Sequence, residues 1–251
     1  MKIVMLTALG VGGATILGSA LGFLFKKITH KFSDFVLAFA AGIMLCAAVV
    51  GLILPSLEYE SFSPICVSIL GVFSGALFLN ILDKLVPHLH RLAGVDQEGH
   101  PDNNAKLNKV LLFVLAIGIH NLPEGIAAGV GFGSGDNSQA FTIAAGIALQ
   151  NIPEGMVIIG PMLAAGMKPS RTFFCAMATG LVEVLGTLLG YFAVSLSAAI
   201  LPFALAFAGG TMLYVISDEM IPETHHNETR GVTYALLIGF CLMLVMNYYL
   251  G

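Results

Sequence analysis

Two copies of one polar motif lie inside apolar stretches: His120-Asn121-Leu122-Pro123-Glu124-Gly125 and, thirty residues on, Gln150-Asn151-Ile152-Pro153-Glu154-Gly155. On a helix each copy places a ligand-type side chain four residues before a glutamate, His120 before Glu124 and Gln150 before Glu154, so both groups project from one face. The proline removes a backbone N–H and leaves the carbonyls of Ile119 and Leu149 without their i+4 donors, bending each helix beside its acid. A carboxylate in such surroundings needs a partner. Two such faces can close around a cation.

The chain has 251 residues, 57% hydrophobic and 10% charged, with a mean hydropathy of +0.90. That balance excludes a soluble domain and predicts an all-α polytopic membrane protein. Apolar stretches of spanning length run over 3–25, 34–55, 64–86, 109–132, 139–163, 171–194, 198–217 and 231–250. They predict eight transmembrane helices in a single transmembrane domain. The first carries Lys2 and the small residues Gly18-Ser19-Ala20 of a signal peptide, but its apolar run continues to Phe25 and ends in Lys26-Lys27, as a membrane helix does. The junction over Ser195 to Pro202 is tight.

Lys and Arg in short loops are retained on the cytoplasmic side. Lys26, Lys27 and Lys31 follow the first span, Lys84, Arg91, Lys106 and Lys109 flank the third loop, Lys168 and Arg171 join spans five and six, and Arg230 precedes the eighth. Only Lys2 lies on the other side, so both termini are expected outside, in the cell (inner) membrane. Glu58, Glu60 and Asp136 then fall in outer loops. Cys46, Cys66, Cys175 and Cys241 have no pairing or metal-binding spacing and read as small hydrophobes. With no phosphate-binding glycine loop and no soluble domain, no nucleotide, nucleic acid or organic cofactor is expected. The expected partners are metal ions and the lipid bilayer.

The longest hydrophilic stretch, 87–108, falls after three spans and divides the eight into groups of three, two and three. The first and last trios enter from opposite sides, which predicts inverted pseudo-symmetry around a midplane site. Spans four and five are antiparallel, joined by the short Gly131 to Ser138 turn. Gly118, Ala127, Ala128 and Gly129 on one, with Ala144, Ala145, Gly146 and Ala148 on the other, predict a close approach of these two helices.

Glu124, Glu154 and a third acid, Glu183, lie well inside their spans. A central carboxylate costs about 2.5–3.5 kcal/mol on insertion scales, so three carry a penalty of about 8–10 kcal/mol before compensation. The nearest basic residue to Glu183 along the chain is Arg171, twelve residues away and about 18 Å along a helix. Protons, His120 or a bound cation must neutralise the acids. Three accounts follow. The glutamates can be protonated and hydrogen-bonded to Asn121 and Asn151 as a structural network. They can form a proton-conducting pathway, which leaves the His, Asn and Gln set without a use. Or they bind metal. Imidazole with carboxylate and amide oxygens suits Zn, Fe, Mn, Co or Cd better than Mg, Ca or Cu(I). Such a site can hold one ion, or two bridged by Glu124 and Glu154.

The paired H/Q-N-x-P-E-G motifs, eight spans, outward termini and a histidine-bearing loop after the third span resemble the ZIP (Zrt/Irt-like protein) divalent-metal transporters of prokaryotic type. That resemblance implies a binuclear centre, with His120, Glu124, Gln150 and Glu154 at one site and Asn121, Glu124, Asn151, Glu154 and Glu183 at the other. Many members have His at the position of Gln150, and some have Asp at that of Asn151. It also implies homodimers and an elevator-like motion of helices one, four, five and six against the rest.

Further candidates flank this set. Met44 lines the pathway if it acts as a helix-two methionine does in similar proteins, and is packing otherwise. Glu58, just past Pro55, either collects cations at the outer mouth or is a solvated loop acid. Asp218, Glu219, Glu223, His225 and His226 form a donor cluster after the seventh span, and His88, His90 and His100, with Asp96, Glu98 and Asp102, fill the third loop. Such loops receive or sense metal, or are simply solvated. The function expected is import of a divalent transition metal, zinc first, with the metal as substrate. The rival class, an intramembrane metallohydrolase, wants a His-Glu-x-x-His helix or an equivalent three-ligand site, and neither is present in the sequence.

Overall fold

The structure is a computed structural model that describes residues 1–24, 30–60, 62–92, 101–134, 137–164, 166–225 and 230–250, without the side chains of 30, 85–92, 101–114, 116, 134 and 198. Among the described residues the chain forms eight long helices and no strand. They are α1 (Lys2–Leu24), α2 (Lys31–Ser56), α3 (Pro64–Leu92), α4 (Pro101–Gly131), α5 (Asn137–Ala164), α6 (Pro169–Leu196), α7 (Leu201–Thr224) and α8 (Arg230–Leu250). Seven, all but α4, are long and apolar enough to cross a bilayer over their described residues, and α4 covers the predicted span 109–132 as far as Gly131. This is the architecture of a multi-pass membrane protein.

Two expectations about loops need correction. The third span does not end at 86, because Leu85, Val86, Leu89 and Leu92 keep the three- and four-residue spacing of a helix face and α3 runs on to Leu92. The helix then resumes at Pro101, a residue suited to a first turn. His88 and His90 are therefore on helical backbone, with their side chains outside the described residues, as are Asp96, Glu98 and His100 altogether. Similarly, α7 continues past 217 to Thr224, so Asp218, Glu219 and Glu223 stand on a helix end and not in a loop.

α2 and α7 share a device that makes this possible. In each, the backbone widens to π-helical geometry, over Ala47–Ile53 and Ile216–Met220, just before a proline, Pro55 or Pro222. A proline ring clashes with the carbonyl four residues back and supplies no N–H; the wider turn moves that carbonyl aside, and the helix continues.

Glycines set the helix pairing. A Cβ on Gly18 of α1 would stand 2.1 Å from the Ile152 carbonyl oxygen of α5, one on Gly129 of α4 2.0 Å from that of Thr187 in α6, one on Gly75 of α3 2.2 Å from that of Phe207 in α7, and one on Gly42 of α2 1.9 Å from that of Leu236 in α8. These four pairs are the most extensive packings, followed by α2 against α7 and α1 against α6. Within each of the four pairs the contacts advance in step along both helices, as where Gly71 meets Phe203 and Gly75 meets Phe207. The helices are thus parallel, as required of a chain that reverses direction at every connection.

The predicted close approach of the two motif helices is displaced. Gly118 and Gly129 face α6, and Gly146 faces Met243 of α8. Small residues permit approach from whichever neighbour the fold supplies, and here the intimate neighbour of α4 is α6. The cysteines are free.

Candidate metal centre

Both motifs lie on continuous helix, with Pro123 inside α4 and Pro153 inside α5. Their terminal glycines decide what faces them. A Cβ on Gly125 would come within 2.2 Å of the Glu183 carbonyl oxygen, and one on Gly155 within 2.3 Å of that of Thr15. α6 and α1 are thereby pressed against the motifs at the level of the acids.

The side chains then meet. Gln150 Nε2 donates to Glu124 Oε1 at 2.7 Å, joining the two motifs directly. Asn151 Nδ2 donates to Glu183 Oε1 and, at 3.3 Å, to the carbonyl of Val11 in α1. Thr15 Oγ1 donates to the other Glu183 oxygen at 2.9 Å. Since carboxylates and carbonyls only accept, these bonds orient both amides and leave Gln150 Oε1 and Asn151 Oδ1 as the oxygens without a donor. Glu124, Gln150, Asn151 and Glu183 are wholly buried, Asn121 and His120 nearly so, and Glu154 is half-buried. The carboxyl of Glu124 lies beside that of Glu183, and Glu154 within electrostatic reach of both. Like charges so close in a medium of low dielectric repel strongly unless a proton or cation lies among them.

Seven buried side-chain N or O atoms have no hydrogen-bond partner among the described residues, and five belong to the paired motifs: His120 Nε2, Asn121 Oδ1, Glu124 Oε2, Gln150 Oε1 and Asn151 Oδ1. An unsatisfied buried polar atom costs about 1–3 kcal/mol. Five on two short segments constitute a concentrated demand for an electrophile. An imidazole nitrogen with amide and carboxylate oxygens is the donor set of a borderline divalent metal ion.

His120 faces a second group as well. Its Nε2 lies 2.6 Å from Glu219 Oε1, off the axis of a hydrogen bond, and one ligand atom each from Asp83, His120 and Glu219 lie within 4.8 Å of one another. Asp83 and Glu219 are half-buried, so this cluster opens toward the surface from a histidine that is itself enclosed. Glu154 is within electrostatic reach of both His120 and Glu219.

The other candidates separate. Met44 is fully buried and belongs to the main apolar core. Glu58 is exposed just beyond α2. Asp218 is exposed and reaches the Tyr214 hydroxyl, which also accepts from Asn80 Nδ2 at 2.9 Å. Glu223 is exposed on the last turn of α7. His225 Nδ1 contacts the Ile221 carbonyl at 2.9 Å, a local contact at the helix end, and His226 lies outside the described residues. Asp83 and Thr15 belong to the constellation but carry little sequence signal. Asp83 sits beside Lys84 at the end of a span and resembles an interfacial pair, and a lone threonine in a small-residue helix resembles packing.

Comparison with known proteins agrees with this chemistry. The family model described as ZIP Zinc transporter matches residues 95–247. The zinc transporter GufA of Myxococcus xanthus is 46% identical over 182 residues, covering 72% of this chain and 70% of the relative. The zinc transporter ZIPB of Bordetella bronchiseptica is 38% identical over 253 residues, covering 95% and 78%. The zinc transporter ZupT of Salmonella paratyphi A is 30% identical over the full length of both chains. Each of these relatives bears the name of a transporter. Matched over most of its length by the family model and by relatives of this similarity, the chain belongs to the ZIP zinc transporter family.

Proposed function

We propose that the protein imports a divalent transition metal, zinc first, across the cell membrane by alternating access, with the metal held at the membrane midplane by His120, Glu124, Gln150 and Glu154 beside Asn121, Asn151 and Glu183. The observation that carries this reading is the set of four buried oxygens on the two motifs that have no donor, those of Asn121, Glu124, Gln150 and Asn151, beside the enclosed imidazole of His120. A structural network would pair its polar groups internally, and a proton wire has no use for unpaired amide oxygens.

Orientation by the positive-inside rule puts the ends of α3 and α7 on the cytoplasmic side. The Asp83, His120 and Glu219 cluster then lies on the exit path, with His120 able to serve both stations. Inverted symmetry also has support. Exchanging α1 with α6, α2 with α7, α3 with α8 and α4 with α5 maps the four principal parallel pairs onto one another, and the two helices with a π segment before proline are exchanged. In this reading α1, α4, α5 and α6 carry the metal against α2, α3, α7 and α8 in a homodimer. The principal pairings fall within these two groups, which supports the motion.

The reading is tested by radioactive zinc uptake into vesicles holding the purified protein, with Mn, Fe and Cd as competitors. Saturable uptake is expected. No uptake of any divalent metal by folded protein, together with a proton current indifferent to zinc, would overturn it. Asp83→Asn and Glu219→Gln each remove a charge from the exit cluster. Losing a charged contact of about 1.5–3 kcal/mol is expected to slow uptake about tenfold or more, while equilibrium zinc binding at the midplane persists.

A further inference from the structure

A hydroxyl inside an apolar helix commonly turns back on a carbonyl three or four residues earlier in the same helix. Ser19, Thr142, Thr179, Thr187 and Thr211 all do so. Thr15, buried in α1, does not. Its hydroxyl crosses to α6 and donates to Glu183 Oε2 at 2.9 Å. The acceptor it passes over, the Val11 carbonyl one turn back, receives Asn151 Nδ2 of α5 instead, at 3.3 Å. The same amide nitrogen also donates to Glu183 Oε1. One turn of α1 thus closes a ring that joins Asn151 and Glu183.

The ring decides which atom Asn151 offers. Its two N–H groups have two acceptors, Val11 O and Glu183 Oε1, so the amide is held with Oδ1, the atom without a donor, turned the other way. A cation needs that oxygen, whereas the NH2 end would repel it. Close helix contact allows so short a side chain to reach. Thr15 and Glu183 each follow by three residues a glycine, Gly12 or Gly180, and a Cβ on either glycine would overlap the carbonyl oxygen of the other.

We propose that Thr15 is a positioning residue of the midplane site: its hydroxyl holds the Glu183 carboxyl, and through it the Asn151 amide, so that Asn151 presents its oxygen to the metal. α1 then shapes metal binding without supplying a ligand. The inference rests on the midplane site argued above and adds a determinant outside both motifs.

The test sets Thr15→Val, which keeps the shape and loses the hydroxyl, against Thr15→Ser, which keeps the hydroxyl and loses the methyl. In zinc uptake by the full-length protein in lipid vesicles, Thr15→Val is expected to raise the KM about 10- to 100-fold, the usual effect of removing a partner that orients a metal ligand. Its maximal rate should change far less, and equilibrium zinc binding should weaken by the same factor as KM. Thr15→Ser should stay near wild type. A packing role predicts the reverse order, because serine leaves a cavity and valine does not, and it lowers the unfolding temperature and maximal rate without moving KM. If the valine variant does not fold, Thr15→Ala beside Thr15→Ser gives the same comparison, since these two differ in the hydroxyl alone. A wild-type KM in the variant without the hydroxyl would overturn the proposal, as would an equal rise of KM in Thr15→Ser. Glu124→Ala separates the two levels of inference. If it loses zinc binding while Thr15→Val binds as wild type does, the midplane site stands and the role of Thr15 falls. If Glu124→Ala binds zinc as wild type does, the midplane site itself falls.

Discussion

Glu124→Ala is expected to reduce zinc uptake by more than about 100-fold in protein that still inserts and folds, since even outer partners of metal ligands cost about 10- to 100-fold when removed. Glu124 is where the constellation converges. One of its oxygens takes the Gln150 amide, the other is buried without a partner, and its carboxyl stands beside Glu183. Two opposing effects on stability accompany the change. Alanine removes a buried carboxylate, whose desolvation is costly, but leaves the Gln150 Nε2 donor unpaired at about 1–3 kcal/mol. Fold stability without metal is therefore expected to change far less than transport. A second readout follows from linkage. Zinc at about 100 times its dissociation constant stabilises wild type by about 2.7 kcal/mol, and this increment should vanish in the variant. Uptake and zinc-dependent stabilisation both at wild-type levels would remove Glu124 from the site.

Gly125→Ala is the second large effect, and it comes from packing. The added methyl would meet the Glu183 carbonyl oxygen at 2.2 Å and the Thr187 nitrogen at 2.9 Å, both backbone atoms of a rigid helix. No rotamer relieves that contact, so α4 and α6 must separate. Overpacking of this kind costs about 1–3 kcal/mol, occasionally more, and lowers the unfolding temperature measured in detergent. It also moves Glu124 relative to Glu183, so uptake should fall more than destabilisation alone explains. Gly13→Ala is the control, because a Cβ there meets nothing within 4 Å. Equal stability of the two alanine variants would contradict the packing account.

The motifs and depth of the acids were legible in the sequence because a carboxylate in an apolar span is costly and a repeated one signals a purpose. His120 with Glu124, and Gln150 with Glu154, announce themselves by their four-residue spacing, one pair on each of two helices. Asp83 did not, because its place beside His120 and Glu219 appears only when α3 is brought against α4 and α7. Thr15 did not, because only the packing of α1 against α5 and α6 turns an ordinary threonine into the donor for Glu183. The expected pairing of the motif helices through their small residues went astray for a related reason: a glycine permits close approach but does not choose the neighbour.

What the sequence by itself determined is local or compositional: long apolar helices able to cross a membrane, and two proline-containing helical segments that carry polar side chains. Helix formation and insertion depend on hydropathy and backbone satisfaction within each segment, and both can be read along the chain. What only the tertiary structure decided is partnership. In an apolar solvent, helices choose one another by shape and by satisfaction of buried polar groups, quantities that belong to pairs of surfaces. The packing of α6 and α1 on the motif glycines fixed which oxygens of the acids are taken by donors and which are left without one.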